Sequence, residues 1–379
     1  MAFEFATATR VLFGEGVVRE VAAAAAGMGR RALVVTGASA ERAAGLTASL
    51  QAATLAIAGE PTVDVVRRGV AFARAEGCDV VVAMGGGSAI DGGKAIAALV
   101  TNAGDPLDYL EVIGRGRALE HGPAPFIAIP TTAGTGSEVT RNAVLASPED
   151  RVKASLRSVA MLPRLAVVDP ELTLGLPRAV TVSTGVDALT QLIEPYVSVR
   201  ANAMTDVLCV EGMRRASAAL VRVWEDGGDR AARRDMAWSS LLGGMALANA
   251  GLGAVHGFAA PVGGMFPAPH GAICAAVLPH AMEVNVRALR SRAGGSAAAG
   301  RYDEVARLVT GNARATAEDG VRWVAELCRR LEVRPLREYG VGEADIPGLV
   351  EKAAKASSMK GNPIVLTAEE LREIVSRAI

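Results

Sequence analysis

The most informative stretch of the sequence is Asp79-Val-Val-Val-Ala-Met-Gly-Gly-Gly-Ser-Ala-Ile-Asp-Gly-Gly-Lys94. The segment from Asp79 to Met84 is a β-branched apolar run, which predicts a buried strand that ends at three glycines. Glycines let the backbone turn sharply and approach a ligand closely, and the apolar segment 89–100 predicts a helix directly afterwards. The free N–H groups and the positive dipole at a helix N-terminus suit a phosphate. The stretch therefore predicts a strand–loop–helix unit that could bind an anion.

Other interpretations of this loop can be compared with its spacing. Ser88 and Asp91 match the S-x-x-D capping box, so the loop could be a helix start with no ligand. The dinucleotide fingerprint G-x-G-x-x-G fits Gly85 and Gly87 but fails at Ile90. A Walker A loop would need glycine at position 88 and a hydroxyl residue at 95, where serine and alanine stand. A nucleotide kinase or ATPase is therefore not favoured, while the capping box remains an alternative.

The rest of the first half repeats the same alternation. Further strands are predicted at 31–36, 126–130 and 165–169, and helices at 17–26, 41–53 and 63–75. Near-continuous apolar runs separated by helical lengths are typical of a parallel sheet that is covered on both faces. We therefore predict an α/β domain with a parallel sheet over residues 1–175.

Beyond about residue 175 the strand signals fade and Ala/Leu-rich amphipathic segments follow. Helices are predicted at 179–197, 203–223, 230–250, 301–309, 317–331 and 368–378, with a flexible surface loop at 292–300. The second predicted domain is all-helical and spans residues 176–379.

Composition excludes several classes of protein. The 379 residues carry 40 Lys+Arg and 40 Asp+Glu, so the chain lacks the basic footprint of a nucleic-acid-binding protein. Half of the residues are apolar, which excludes a disordered chain. Four cysteines lie far apart without a C-x-x-C pair, so neither a disulfide framework nor a zinc ribbon is indicated. With no signal-peptide pattern and no convincing membrane-spanning run, we expect a cytoplasmic enzyme with neither a nucleic-acid nor a membrane partner.

A second loop of small residues, Pro130-Thr-Thr-Ala-Gly-Thr-Gly-Ser-Glu138, also follows a predicted strand. Hydroxyl groups and bare backbone at the carboxyl end of a strand suit a ligand crevice in an α/β sheet. Two such loops after two strands favour a binding site over simple turns.

The second half holds a candidate metal site. His256, His270 and His280 fall within 25 residues, among glycines in an apolar segment. Upstream, Asp187 and Gln191 are four residues apart and share one face of a predicted helix. A carboxylate, an amide and two imidazoles could hold a borderline divalent ion, although a single histidine is more often a packed core or surface residue.

Taken together, these motifs resemble the iron-containing (group III) alcohol dehydrogenase family from end to end. The resemblance implies that residues 1–175 form a Rossmann-like dinucleotide-binding domain and that residues 176–379 form an all-helical metal-binding domain. The loop Gly85–Lys94 is similar to the family's GGGSxxDxxK pyrophosphate loop, and Pro130–Thr140 to its PTTAGTGSEVT stretch beside the nicotinamide. Asp169-Pro-Glu-Leu-Thr173 is similar to its DPxLT segment. The residues implied at the cofactor are Gly37, Ser39, Gly85, Gly86, Gly87, Ser88, Asp91, Thr131, Thr132, Ser137, Thr140, Asn142 and Lys153, the last at a ribose. The implied metal ligands are Asp187, Gln191, His256 and His270.

Two positions depart from the family pattern. Gln191 stands where the family usually supplies a histidine ligand, and Ala260 stands where a second histidine is often cast as a proton relay. Amide oxygen is a weaker ligand than imidazole. The resemblance implies Fe²⁺ as the metal, and Zn²⁺ is the alternative. His280 could supply the relay as a third catalytic histidine, with a packing role as its alternative.

The resemblance also sets expectations for activity. After the first long strand, Thr36-Gly-Ala-Ser39 lacks the aspartate that NAD-preferring members tend to carry, and Ser39 could hydrogen-bond to a 2′-phosphate. We therefore expect NADP(H), or dual use of NAD(H) and NADP(H). The expected reaction is hydride transfer between nicotinamide and a small alcohol or aldehyde, in a homodimer. The alternatives are a lyase or cyclase resembling dehydroquinate synthase, and a non-catalytic nucleotide-binding homologue with a degraded metal site.

Overall fold

The computed structural model describes residues 2–379, which divide into two compact units. The first unit comprises residues 6–132 and 136–173; the second comprises 174–379, with Ala133–Thr135 and the N-terminal residues up to Phe5. The division after Thr173 lies two residues before the predicted one. Ala133–Thr135 joins the helical unit, where Gly134 lies so close to Thr184 that a Cβ at position 134 would be 2.7 Å from the threonine Cβ.

Eight strands form within the described residues, all in the first unit. They are β1 (Val11–Phe13), β2 (Ala32–Thr36), β3 (Ala53–Ala56), β4 (Val80–Gly85), β5 (Phe126–Pro130), β6 (Asn142–Ser147), β7 (Val152–Arg157) and β8 (Leu165–Val168). Six of them make a parallel sheet in the order β1-β8-β5-β4-β2-β3, while β6 and β7 form an antiparallel hairpin. Every residue of β2, β4 and β5 is buried, as their near-continuous apolar sequences predicted.

Helices cover both faces of this sheet. They are α1 (Val21–Ala26), α2 (Ala44–Leu50), α3 (Val63–Ala75), α4 (Gly87–Val100) and the single turn α5 (Pro106–Tyr109). Val34 and Val82 pack with α1 and α2, whereas their neighbours Leu33 and Val81 pack with α3 and α4. The parallel α/β fold is therefore confirmed.

Three details of the first unit differ from the sequence prediction. The predicted helix 41–53 is shorter, because its last residue, Ala53, starts the strand β3. The hairpin β6–β7 was not predicted, since its alternation of small and polar residues gives a weak strand signal. Val11–Phe13, which the sequence analysis did not assign to a strand, pairs in parallel with β8 at the edge of the sheet.

The second unit is helical. Its helices are α6 (Arg178–Val197), α7 (Ala203–Glu225), α8 (Arg230–Ala250), α9 (Ala254–Met265), α10 (His270–Arg292), α11 (Ala297–Thr310), α12 (Ala317–Arg330), α13 (Ile346–Lys355) and α14 (Ala368–Ala378). The sequence analysis did not predict α9, α10 or α13, because glycines and the internal Pro261 and Pro279 interrupt the helical pattern in the first two. The predicted loop 292–300 is wrong at its end, where residues from Ala297 begin α11.

Helix α10 is the core helix of this unit. It is long and apolar enough to cross a membrane, but 83% of its most apolar window is buried inside the protein. Such burial is what a core helix of a folded domain shows, and it explains the hydropathy of this segment.

Candidate active site

The predicted cofactor loops converge at one edge of the sheet. β2, β4 and β5 are parallel neighbours, so their carboxyl ends meet at the same edge. There the N–H of Thr131 donates to the carbonyl oxygen of Gly85 at 2.9 Å. A Cβ on Gly85 would lie 3.1 Å from the nitrogen of Gly37, and one on Gly86 would lie 3.6 Å from Oγ1 of Thr132. The structure thus brings the loops after three strands together.

The start of α4 decides between the two interpretations of the glycine loop. The helix begins at Gly87, and its N-cap, Gly86, has extended backbone and no side-chain capping bond. Ser88 lies inside the first turn, so the capping-box alternative is wrong. Because glycine leaves the N-terminal N–H groups without a side-chain acceptor, this end of α4 can accept an anion.

The topology places the same point at a crevice of the sheet. The helix after β2 packs on one face, while α4, after the neighbouring strand β4, packs on the other. Ligands of open α/β sheets bind where successive helices diverge in this way, outside the carboxyl ends of the strands. Gly37, Ser39, Gly85–Ser88, Thr131 and Thr132 lie at or just beyond these carboxyl ends.

The charged residues of the loop have structural partners. Nζ of Lys94 donates to the carbonyl oxygens of Ser137, Thr140 and Asn142 at 2.8, 2.9 and 2.9 Å. Oδ2 of Asp91 accepts the N–H of Val144 at 3.0 Å. Asp91 and Lys94 thereby fasten the second glycine loop and the hairpin to α4. Burial lowers the pKa of Lys94 to about 8, partly opposed by the Asp91 and Glu138 carboxylates.

Two other groups of this unit are also held internally. Burial raises the pKa of Glu138 to about 7, although its own backbone N–H and Lys94 favour the ionised form. Lys153, expected at a ribose, lies in β7 with its side chain buried and its Nζ 3.0 Å from a carboxylate oxygen of Glu60. Its amine thus already has one anionic partner in this structure.

In the helical unit, α6 presents three acidic or amide side chains on one face. Asp187, Gln191 and Glu194 follow at intervals of four and three residues, which superimposes them along the helix. Asp187 is completely buried, and neither of its carboxylate oxygens has a hydrogen-bond partner. Oε1 of Gln191 is likewise buried without a partner. Unpaired buried acceptors are costly, so this set fits a bound cation.

The predicted histidines join Asp187. His256 lies in the first turn of α9 and His270 is the first residue of α10. Their Nε2 atoms are 3.4 and 3.8 Å from Oδ1 of Asp187. Elements far apart in sequence thus assemble three of the predicted ligands.

Cys274 is a fourth member of this group that sequence reasoning missed. Its Sγ lies 3.8 Å from Nε2 of His256 and 3.7 Å from Nε2 of His270, and the four candidate ligand atoms lie within 4.8 Å of one another. Cys274 follows His270 by one helical turn, so its spacing would have been a signal had α10 been predicted. Burial raises the pKa of the Cys274 thiol to about 12, against the opposing effect of His256.

Glu194 is a second missed residue, and it orients His256. Its Oε2 lies 2.7 Å from Nδ1 of His256, while its Oε1 accepts the N–H of Val255 at 2.7 Å. A carboxylate on Nδ1 holds the proton there and leaves Nε2 free to bind a metal. Asn362 supports the same turn by accepting the N–H of Ala254 at 3.1 Å.

The charges of this group support one another. Burial alone would lower the pKa of His256, but Cys274, Glu194 and Asp187 together hold it well above its ordinary value. Burial would raise the pKa of Asp187, yet His270 and His256 hold it below its ordinary value. Asp187 is therefore ionised and ready to bind positive charge.

His280 does not join the group. It follows His270 by ten residues on α10, which is about 15 Å along the helix axis. Its charged neighbours are Arg377 and Glu283, and burial, assisted by Arg377, lowers its pKa to about 4. His280 thus lies apart from the group, and its role as a proton relay stays a prediction beside its packing alternative.

Comparisons with known proteins agree with this architecture. Residues 8–170 match the family "Iron-containing alcohol dehydrogenase", and residues 181–379 match "Fe-containing alcohol dehydrogenase family, C-terminal". Alcohol dehydrogenase 4 of Saccharomyces cerevisiae is 36% identical over 319 residues, which are 84% of this chain and 80% of the yeast protein. The crystal structure of a 1,3-propanediol oxidoreductase superimposes with a TM-score of 0.90 at 32% identity, covering all of both chains.

A further solved structure contains bound NAD⁺. Sulfoacetaldehyde reductase from Bifidobacterium kashiwanohense, in complex with NAD⁺, superimposes with a TM-score of 0.87 at 28% identity, covering 99% of this chain and 98% of that one. These matches do not favour the lyase, cyclase or non-catalytic alternatives. The chain belongs to the iron-containing alcohol dehydrogenase family, and it is an NAD(P)-dependent oxidoreductase that transfers hydride between nicotinamide and an alcohol or aldehyde.

Proposed function

We propose that this enzyme interconverts a small, weakly polar alcohol and its aldehyde, using a divalent ion held by Asp187, His256 and His270. The observation that carries the proposal is the completely buried Asp187 carboxylate, whose oxygens lack hydrogen-bond partners while two imidazole nitrogens lie 3.4 and 3.8 Å from one of them. Fe²⁺ is the metal the family relationship favours, with Zn²⁺ as the alternative.

When bound, the ion supplies a Lewis acid for the substrate oxygen and the nicotinamide supplies or accepts the hydride. The chain's own residues prepare both sites. Asp187 contributes the negative charge, and Glu194 fixes the tautomer in which Nε2 of His256 is unprotonated and can bind a metal. The α4 N-terminus and the glycine loop bind the pyrophosphate through backbone N–H groups.

The proposed path of the alcohol proton differs from the one that the family pattern implies. Position 260, one turn after His256, is alanine, and the charged neighbours of His280 are Arg377 and Glu283. We therefore infer that the alcohol proton reaches solvent through water and hydroxyl groups rather than through an imidazole. Gln191, one turn after Asp187, offers the site a further oxygen that has no other partner.

NADP(H), or dual use, is the cofactor choice that the loop after β2 favours. Ser39 is exposed and makes no side-chain capping bond, so its hydroxyl is available to a 2′-phosphate. The residues from Thr36 to Ala40 include no carboxylate that would repel that phosphate. Ser39→Asp should lower kcat/KM for NADPH by at least tenfold relative to NADH, while Ser49→Asp, outside this loop, should leave the ratio unchanged. An unaltered ratio in Ser39→Asp would refute this placement of the 2′ position.

We further propose a cytoplasmic homodimer with no nucleic-acid or membrane partner. All four cysteines are free and buried, which suits a reducing compartment. Strand β1 is the last strand on its side of the sheet, so its outer edge can pair with a second copy. Light scattering of the purified protein tests the dimer directly.

The decisive experiment for the reaction is elemental analysis of purified protein, followed by aldehyde reduction with NADPH and NADH. We expect about one iron or zinc per chain and metal-dependent turnover of short aliphatic aldehydes. His256→Ala should lose both, whereas His121→Ala, a histidine in the other unit, should keep both. Turnover that persists in metal-free protein would overturn the proposed role of this site.

A further inference from the structure

Cys274 is the side chain near the proposed metal that the family relationship does not explain. Its Sγ is completely buried and faces the Nε2 atoms of His256 and His270 at 3.8 and 3.7 Å. The other three cysteines have no place in the cluster of candidate ligands found among the described residues. Cys209, for example, is equally buried but has Asp206 and Arg301 as its charged neighbours. Burial alone therefore does not account for the position of Cys274.

The distances match those of a tetrahedral site. Bonds of about 2.3 Å to sulfur, 2.0–2.1 Å to imidazole nitrogen and 2.0–2.2 Å to carboxylate oxygen imply tetrahedral edges of about 3.6 Å for S···N and about 3.4 Å for O···N. The structure has S···N separations of 3.7 and 3.8 Å and O···N separations of 3.4 and 3.8 Å. Four of the six edges therefore lie close to tetrahedral lengths, and the remaining two, N···N between the histidines and S···O, are no longer than 4.8 Å.

Cys274 and Gln191 are the two candidates for the fourth protein ligand of the metal. Family members usually place a histidine at 191, and this chain has an amide there instead. A neutral amide oxygen is a weak, hard ligand, whereas a thiolate is a strong ligand for zinc, cobalt and iron. Cys274 also lies on the same helix as His270, four residues later, so α10 holds both in one fixed geometry.

We propose that Cys274 is the fourth protein ligand of the metal, bound through its sulfur, and that it replaces the histidine missing at position 191. The inference rests on the proposed metal-dependent function, in which the substrate oxygen would be a fifth ligand of the ion. On binding, the S–H bond breaks, its proton leaves to solvent and the sulfur forms a bond to the ion, without oxidation or reduction. A sulfur ligand also biases the site towards zinc, cobalt or iron and away from magnesium or manganese.

Cobalt spectroscopy tests this assignment without reference to activity. Metal-free full-length protein is reconstituted anaerobically with Co²⁺, and both the bound cobalt and the near-ultraviolet thiolate-to-cobalt charge-transfer band are measured. We expect about one cobalt per chain and a clear band. Cys274→Ser should lose the band and bind cobalt at least about 10-fold more weakly, since even an outer partner of a ligand contributes 10- to 100-fold.

Two variants separate the possible ligands. Cys209→Ser, a matched buried cysteine away from the cluster, should keep both the band and the affinity. Gln191→Ala should keep the band, because the sulfur remains. A band that survives in Cys274→Ser would overturn the proposal.

The wild-type spectrum alone keeps the test falsifiable if the serine variant does not fold. Cobalt bound stoichiometrically without a charge-transfer band would show that Cys274 is not a ligand, and the proposed function would stand. Failure of the wild-type protein to bind cobalt, zinc or iron at all would overturn the proposed function itself.

Discussion

Glu194→Gln is the substitution that best tests how the metal group is held. The two side chains have nearly the same shape, so the packing of α6 against α9 should survive. The carboxylate, however, accepts two bonds at 2.7 Å, from Nδ1 of His256 and from the N–H of Val255. Glutamine has a single acceptor oxygen, so one of these donors must face an NH₂ group.

Either orientation of the amide disturbs the site. If its oxygen keeps the N–H of Val255, the NH₂ group faces Nδ1 of His256, which must then accept. The ring proton moves to Nε2, and the nitrogen that faces Asp187 can no longer bind a metal. If the oxygen instead keeps His256, the buried N–H of Val255 loses its acceptor.

Two estimates give the same magnitude for this variant. A hydrogen bond to a charged group contributes about 1.5–3 kcal/mol, which corresponds to roughly 10- to 150-fold in an equilibrium constant. Loss of an outer carboxylate partner of a ligating histidine typically costs 10- to 100-fold in metal affinity. We therefore expect the dissociation constant for zinc or iron to rise by about 10- to 100-fold.

Competition with a chromophoric chelator measures the dissociation constant at a fixed pH. Glu304→Gln is the control, because Glu304 is a largely exposed glutamate that accepts the hydroxyl of Tyr196 and touches no group of the metal cluster. Its affinity should equal that of the wild type. An affinity within about twofold of the wild type in Glu194→Gln would refute the orienting role of this carboxylate.

Four further predictions concern the framework of the two units. A Cβ on Gly271 would lie 2.4 Å from the carbonyl oxygen of Ser183, so Gly271→Ala should destabilise the protein by about 1–3 kcal/mol and weaken metal binding through the adjacent His270. Gly300→Ala, inside α11 with open space around it, should instead stabilise by about 0.5–1 kcal/mol in the same urea titration. Lys94→Met removes the donor from three buried carbonyl oxygens and should cost about 3–5 kcal/mol, with weaker cofactor binding in a fluorescence titration. Since the pKa of Glu138 is raised from 4.5 to about 7 on folding, its contribution to stability is present below pH 4.5 and is lost as the pH rises through 7. The free energy of unfolding of the wild type should therefore fall by up to about 3 kcal/mol between pH 4.5 and 7.5, and Glu138→Gln should not show this fall. Equal pH slopes in the variant and the wild type would contradict this prediction.

The sequence predicted the parts of the fold that depend on strong local patterns. β2, β4 and β5 were predicted because their residues are apolar on both faces, which only a doubly covered sheet requires. The strand β3, with only four residues and an exposed side, resembles the end of the preceding helix. Ser88 was given an alternative role as a cap because Ser88 and Asp91 match the S-x-x-D pattern, whereas the helix in fact begins one residue earlier, at Gly87.

The same limit explains which site residues were missed. Asp187 and Gln191 were recognised because their spacing fits a helix that the sequence predicted. Cys274 shares that spacing with His270, but the prolines and glycines around them hid the helix that gives the spacing its meaning. Glu194 has no local signal at all, since its role depends on a histidine 62 residues later. Long-range pairing of this kind follows from tertiary packing and not from the period of one segment.

The departures at positions 191 and 274 have a common physical explanation in this fold. A histidine lost from α6 removes one strong ligand, and an amide in its place cannot restore the affinity. Helix α10 can supply a ligand to the same site, because Cys274, one turn after His270, faces the Nε2 atoms of His256 and His270. A cysteine there restores a four-ligand set without moving either helix. The two positions should therefore act as a pair: Gln191→His in a Cys274→Ser background should regain much of the metal affinity that the serine variant loses, whereas Gln191→His in the wild type should add little. If the histidine strengthens metal binding equally in both backgrounds, positions 191 and 274 do not share a ligand site.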